Sequence, residues 1–301
     1  MQKTLVIITG PTGIGKTKTG IDIALHFNTD IISADSRQIY REMQIGTAVP
    51  DKHDRKGIKH YLIQNHSIKD IYNVSRYEQE VLALLEKLFL KHDIVVMVGG
   101  SMLYIDAVCY GIDTMPDVDP EIRNELKKRY SKDGIGPLRL QLKQLDPDYY
   151  LKVDLRNPNR IVHALEVCLT TGRPFSKFRL NDKKQRFFEI LKIGLNCERK
   201  LLYENINARV DKMIEDGLEK EARLLYPQKH LNALNTVGYR EMFHYFDGQI
   251  TREKAIELIK RNTRRYARKQ LTWHRNDPKM NWFQPTESTE IINFIENNRH
   301  L

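Results

Sequence analysis

Thr4-Leu5-Val6-Ile7-Ile8-Thr9-Gly10-Pro11-Thr12-Gly13-Ile14-Gly15-Lys16-Thr17 joins a buried type of strand to a glycine-rich turn. Thr4–Ile8 is a short apolar, β-branched run, which predicts a strand covered on both faces. Lys16–Phe27 places Ile21, Ala24 and Leu25 on one face and predicts a helix. Between them Gly10–Thr17 fits G-x-x-x-x-G-K-[ST], in the strand–turn–helix setting that motif requires. The glycines let backbone N–H groups converge on phosphate oxygens, and the helix start adds positive potential. Lys16 supplies a point charge. The Thr17 hydroxyl is placed to ligate Mg²⁺.

The pattern repeats outward. Asp30–Ser33 and Asp93–Val98 read as strands, Tyr61–Ile63 as a shorter one, and Tyr77–Leu90 and Ser101–Tyr110 as helices. Alternation of this kind predicts an α/β fold, a P-loop NTPase-like parallel sheet covered on both faces. At Gly111 the pattern changes, and a proline- and acid-rich stretch leads into the helical segments Glu121–Tyr130, Gly136–Asp146 and Asn157–Thr171. Phe188–Leu195 reads as a strand that returns to the sheet. Helices follow over Arg199–Glu215, Glu219–Tyr226, Gly238–Phe246 and Thr251–Arg275. The expected division is a first part of the core at 1–118, a helical insertion at 119–187, and core completion with a helical C-terminal region at 188–301.

A phosphate cradle alone does not make an ATPase. Enzymes of that class hold Mg²⁺ with an Asp at the end of a second apolar strand. Here Ile94–Val98 ends in Gly99-Gly100 instead. The carboxylate just past a strand end is Asp35, in Ile32-Ser33-Ala34-Asp35-Ser36-Arg37-Gln38. In a doubly wound sheet the strand ends line one crevice, so Asp35 and Ser101 converge on the phosphates. Asp35 reads as a metal partner, a general base or a loop cap. Ser101 reads as a helix N-cap or a reactant.

Composition sets the broad class. The 301 residues are 41% hydrophobic and 29% charged, with a net charge of +10, which fits a soluble globular chain. No apolar run reaches membrane-helix length, and no secretory signal precedes the first strand. Cys109, Cys168 and Cys197 lie far apart and suit a reducing cytoplasm. A monomer is expected. Residues 1–110 carry 13 basic and 12 acidic groups, 111–200 carry 19 and 13, and 201–301 carry 17 and 14. The surplus of +6 and +3 thus lies outside the phosphate-loop segment and suggests a polyanionic partner.

Ile259–Arg275 holds seven Lys/Arg and no acid. Lys260, Arg264 and Arg268 form one row at four-residue spacing, and Arg261, Arg265 and Lys269 form another. Ile259, Tyr266, Gln270 and Trp273 fall on the opposite half, where the aromatics are expected to anchor in the core. Such a helix suits a nucleic-acid backbone better than an anionic membrane.

Together these segments resemble the tRNA dimethylallyltransferase (tRNA isopentenyltransferase) family, bacterial type, over roughly Leu5 to Trp282. The resemblance is carried by Gly10–Thr17, Ile32–Arg41 with Ile45–Ala48, and Val98–Ser101. It continues in Asn159–Ile161 with Ala164–Val167 and Thr171–Pro174, then in Arg209–Met213, Val237–Glu241 and Tyr266–Trp273. The Asp35–Gln38 and Arg268–Trp273 segments are the most specific. The sequence departs from the family pattern at Ser101 (usually Thr), Met102 (usually Gly), Asp154–Pro158 and His274 (usually apolar). The zinc finger of eukaryotic members has no counterpart.

The resemblance implies transfer of a dimethylallyl group from its diphosphate to the exocyclic amine of the adenine just 3′ of the anticodon, in tRNAs that read U-initial codons. It implies that Gly10, Pro11, Thr12, Gly13, Ile14, Gly15, Lys16 and Thr17 hold the diphosphate, with Mg²⁺ at Thr17 and Arg209 as a further clamp. Asp35 matches the general base, and Ser101 matches a residue that contacts substrate and leaving group. Asp35, Ser36, Arg37, Gln38 and Ser101 match positions that contact tRNA. So do Arg123, Asn159, Arg160, Ile161, Val162 and His163 on the insertion, which grips the anticodon loop. Asn235, Thr236, Val237, Gly238, Tyr239 and Arg240 form a further such segment. Arg268, Lys269, Gln270, Leu271, Thr272, Trp273, His274 and Arg275 form the last. The competing readings are a P-loop small-molecule kinase, an adenylate prenyltransferase acting on free nucleotides, and a non-catalytic tRNA-binding protein. The first two would have no use for the basic helix.

Overall fold

In the computed structural model, which describes residues 2–180 and 182–298, β1 (Thr4–Thr9) is buried at every position. It leads through the glycine turn into α1 (Lys16–His26). β2 (Ile31–Ser33), β3 (His60–Tyr61), α2 (Val74–Leu88), β4 (Ile94–Val98) and α3 (Met102–Tyr110) follow. Next come α4 (Pro120–Asp133), α5 (Gly136–Leu145), α6 (Pro147–Tyr150) and α7 (Pro158–Thr171). β5 (Glu189–Leu195), α8 (Arg199–Glu215), α9 (Leu218–Leu225), α10 (Tyr239–Phe246), α11 (Arg252–Arg275), β6 (Met280–Phe283) and α12 (Ser288–Asn298) complete the order.

The strands form one six-stranded sheet in the order β3-β2-β4-β1-β5-β6. Every neighbouring pair is parallel. Ile8 stands opposite both Val98 and Ile193, and Ser33 opposite Val98. This register brings the carboxyl ends of β1, β2, β4 and β5 out along one edge, so the loops after them meet there. The core beneath it packs Val6, Ile8, Ile21, Val96, Ile193, Leu202, Ile206 and Ile291.

Glycine is required at two of these strand ends. A Cβ on Gly99 would lie 2.1 Å from the Ala34 carbonyl oxygen, so β4 and β2 approach closely only without one. Gly10 has φ +145°, and a Cβ there would lie 2.7 Å from the Leu195 carbonyl oxygen.

The chain divides into two compact units, Met1–Cys109 with Arg186–Leu301, and Tyr110–Gln185. The smaller unit packs Leu126, Leu138, Leu142, Tyr149, Ile161, Leu165 and Phe175 into its own core. Asp146 is buried in it and accepts from Tyr149 N, Ser176 N and Ser176 Oγ. The unit begins at Tyr110 and ends at Gln185, whereas the sequence predicts 119 and 187. A 2.7 Å bond from Lys184 N to the Tyr110 carbonyl joins the two ends of this unit.

Two other expectations change. The strand expected at Tyr61–Ile63 stops at Tyr61, because Leu62 adopts φ +58°, outside the extended region. β6 and α12 lie beyond the last helix predicted from the sequence. β6 pairs along β5 from Lys192–Met280 to Leu195–Phe283.

Candidate active site

The loop after β1 is built to receive negative charge. Ile14 is buried in the core and anchors the outer turn of the loop. Lys16 folds back so that Nζ donates to the carbonyls of Gly10 (3.0 Å) and Pro11 (2.8 Å). Its pKa is pushed down to about 7 by burial and then by the Arg209 guanidinium, while Asp35 acts the other way. Arg209, on α8, is likewise lowered by burial, with Asp35 opposing. Two cations thus share one carboxylate, and a bound polyanion offsets that excess positive charge.

Asp35 sits just past β2. Its Oδ1 accepts from Arg37 N (2.8 Å) and Gln38 N (3.2 Å), so this oxygen caps the turn. Oδ2 has no hydrogen-bond partner among the described residues and is open to a proton. The loop-cap reading thus holds for Oδ1, while Oδ2 stays available for the base or metal-partner reading. Ser101 opens α3, yet its hydroxyl does not cap that helix. Oγ accepts from Ser36 N at 2.8 Å and so fastens the Asp35 turn to the end of β4.

The cleft at the strand ends encloses about 1270 Å³. Thr12, Gly13, Gly15, Lys16, Thr17, Asp35 and Arg209 line one part, and Ile45, Ala48, Val49, Pro50 and Met213 give it an apolar wall. That wall is clamped in place. Gln38 Nε2 donates to the carbonyls of Thr47 and Ala48, both at 3.0 Å, so this amide is engaged in the protein. Glu221, on α9, accepts from the backbone of Gln44, Ile45 and Gly46 at 2.8–3.0 Å and from Tyr239 Oη at 2.6 Å. Sequence reasoning missed Glu221, because no motif or periodicity marks a carboxylate that caps a loop 175 residues away.

α11 carries the largest corrections. Gln270 (2% exposed), which periodicity puts opposite the basic rows and the resemblance puts among tRNA contacts, points under the phosphate loop, as does His274 (3%), a position the resemblance also puts among tRNA contacts. Gln270 Oε1 accepts from Thr12 N at 2.9 Å, and Nε2 donates to the Gly100 carbonyl at 2.8 Å. His274 Nε2 lies 2.9 Å from Thr9 Oγ1, and its pKa is pushed down to about 4 by burial, then by Lys16 and Lys192. Tyr266, expected as a core anchor, and Trp273, expected as a core anchor by periodicity and as a tRNA contact by resemblance, are 39% and 46% exposed. Trp273 Nε1 donates to Asp106 Oδ2 at 2.9 Å. Tyr266 is pushed up to about 12 by burial of its hydroxyl and by Asp35, with Arg37 opposing, so it belongs to the surroundings of the site.

The two basic rows of α11 also differ. Lys260 pairs with Asp211 (2.5 Å), Arg264 donates to Asn207 (2.6 Å) and Arg268 to the Tyr203 hydroxyl (3.2 Å), all on α8. Arg261, Arg265 and Lys269 are exposed and have no such partner among the described residues. Leu271 is partly buried against the core, whereas Thr272 and Arg275 are exposed.

The remaining expected tRNA positions fall in two groups. Arg37 Nη1 reaches the Ala233 carbonyl at 3.2 Å, near exposed Asn235 and Arg240. Thr236 and Val237 are half-buried, and Gly238 and Tyr239 are interior. In the smaller unit Arg123 and His163 both bind the buried Glu166, at 2.9 and 2.6 Å. Asn159 and Arg160 are exposed there, while Ile161 and Val162 face the core.

A parallel sheet, a P-loop and a carboxylate beside two cations mark the core of a P-loop enzyme. The IPP transferase family model matches residues 38–277, and the chain belongs to that family. It is 55% identical over 282 residues to tRNA dimethylallyltransferase 2 of Porphyromonas gingivalis, covering 94% of each chain. It is 49% identical over 300 residues to tRNA dimethylallyltransferase 1 of Phocaeicola vulgatus, covering all of both. The crystal structure of a full-length tRNA isopentenylpyrophosphate transferase from Bacillus halodurans superposes with a TM-score of 0.74 at 35% identity, covering 100% of this chain and 97% of that one.

Proposed function

We propose that this chain transfers the dimethylallyl group of dimethylallyl diphosphate to the N6 amine of adenosine 37, just 3′ of the anticodon, in tRNAs that read U-initial codons. The observation that carries the reading is Asp35, with one oxygen fixed and the other free, beside the Lys16–Arg209 pair. The N6 lone pair attacks the allylic C1, the C1–O bond breaks, and diphosphate leaves. An adenine amine is a very weak acid, so its proton passes to Asp35 Oδ2 only as positive charge grows on nitrogen. Lys16, Arg209 and the loop amides take the charge of the leaving diphosphate. The apolar wall at Ile45–Pro50 and Met213 suits the prenyl tail, and adenosine 37 leaves its stack to reach C1.

Mg²⁺ fits beside this loop. The Thr17 hydroxyl lines the cleft and has no hydrogen-bond partner among the described residues. A Thr17-bound ion would offset charge on the leaving diphosphate. The protein acts as a monomer in the cytoplasm, where tRNA is found. No helix among the described residues is long and apolar enough to cross a membrane. The kinase reading has less support, since β4 ends in Gly99-Gly100 without a metal-binding acid.

The test is incubation of the protein and Mg²⁺ with labelled dimethylallyl diphosphate and unmodified tRNA. Label is expected in N6-dimethylallyl adenosine after nucleoside digestion. Equal or faster labelling of free AMP would overturn the tRNA assignment. Asp35→Ala is expected to lower turnover by about 10²–10⁴-fold with tRNA affinity nearly intact.

A further inference from the structure

Gln270 is a buried amide that uses both ends of its side chain on two different catalytic loops. Oε1 takes the Thr12 amide of the phosphate loop, and Nε2 gives to the carbonyl of Gly100, the residue before Ser101. From there the connection runs on without a gap. Ser101 Oγ accepts from Ser36 N, and Ser36 adjoins Asp35, whose Oδ1 closes its own turn. Position 100 is shaped for this approach, since a Cβ on Gly100 would lie 2.3 Å from Gln270 Nε2 and 3.4 Å from Lys16 Nζ.

We infer that Gln270 is a positioning residue for prenyl transfer, bracing the leaving-group loop and the base-bearing loop at a fixed separation. The inference rests on the reaction proposed above. The two loops leave different strands, β1 for the phosphates and β2 for Asp35, with the end of β4 between them. Attack on the allylic carbon needs the amine, held by the Asp35 side, in line with the oxygen held by the Lys16 side. A shift of about 1 Å between the sides costs on the order of 10²-fold in rate. A side chain 2% exposed offers no surface to RNA, so the brace acts through Thr12 and Gly100.

The experiment compares the wild-type chain with Gln270→Met, which keeps size but neither bond, and Gln270→Asn, an amide too short to span both partners. Single-turnover prenyl transfer at saturating substrates, tRNA affinity and melting temperature are measured for each. Expected is a rate loss of about 10–100-fold in both variants, with tRNA affinity within twofold. Ser101→Ala combined with Gln270→Met is expected to cost less than the product of the two single losses, since both cut one chain of hydrogen bonds. If tRNA affinity falls in step with rate, Gln270 is an RNA contact and the inference fails. It also fails if melting temperature drops while the rate per folded enzyme stays at wild type. A wild-type chain with no transfer to tRNA would instead remove the reaction itself, a separate result.

Discussion

The hydroxyl of Ser101 accepts the backbone amide of Ser36 at 2.8 Å, which makes the end of β4 the support of the Asp35 turn. A helix-opening serine would ordinarily turn its oxygen toward its own first turn. Here that oxygen serves a neighbouring strand end and holds the turn that carries Asp35.

Ser101→Ala removes the acceptor and leaves the Ser36 amide unpaired in a part-buried place, a cost of about 1–3 kcal/mol. Turnover is expected to fall by about 10–100-fold, with tRNA affinity little changed. Ser101→Thr keeps the hydroxyl and is expected to stay active. Steady-state transfer assays on the two variants check this, and equal rates in Ser101→Ala and wild type would show that the bond does not set Asp35.

Lys16 carries a pH dependence with a defined sign. Its pKa in the free protein is about 7 and its ordinary value is 10.5. Below about 7 the lysine is charged and attracts diphosphate; above it the free protein has lost that proton. Binding a polyanion restores the charged form, so above about pH 7 complex formation takes up a proton. Affinity for inorganic diphosphate is expected to weaken as pH rises from about 6 to about 9. Calorimetry in buffers of different ionisation enthalpy should show the uptake, and Lys16→Met should remove the share of both effects that exceeds the ionisation of diphosphate itself. Folding linkage has the opposite trend: between about 7 and 10.5 the unfolded chain holds more protons, so this residue's contribution to stability rises with pH.

The phosphate loop was legible because every part of it is local: a buried run, glycines at fixed spacing and a helix start within Thr4–Phe27. Asp35 could be placed because strand ends in this topology share an edge. What the sequence hid is which neighbour covers which helix face. Periodicity put Tyr266, Gln270 and Trp273 on one half of α11, but the phosphate loop covers only the Gln270–His274 strip and leaves both rings exposed. The two basic rows look alike in sequence, and only Asp211, Asn207 and Tyr203 on α8 distinguish them. Glu221 left no trace, because most of its partners are backbone amides, which are the same in every sequence.

Glu221→Ala should expose that hidden dependence. Three backbone N–H groups at Gln44–Gly46 and the Tyr239 hydroxyl lose one shared acceptor. Charge-assisted bonds of this kind contribute about 1.5–3 kcal/mol each. The expected outcome is a melting temperature lower by several degrees. KM for dimethylallyl diphosphate should also rise, because the Ile45–Pro50 wall of the cleft loosens. Thermal scans with donor titrations test it; an unchanged KM would mean that the wall does not touch the prenyl tail.

The surplus charge of α11 separates into two roles that mutation can tell apart. Arg261, Arg265 and Lys269 are exposed and make no ion pair or side-chain hydrogen bond to α8 among the described residues, so they can turn to RNA phosphates. Replacing all three with Gln is expected to weaken tRNA binding and to flatten the log–log salt slope by roughly 0.7–0.9 for each phosphate no longer neutralised. Lys260, Arg264 and Arg268 are already engaged with α8. Their replacement is expected to lower stability, the Lys260–Asp211 ion pair contributing about 0.2–1 kcal/mol, with little change in the salt slope. Salt-dependent binding curves decide the matter. A larger slope change from the α8-facing row would mean that RNA displaces those pairings, and that α8 and α11 separate when tRNA docks.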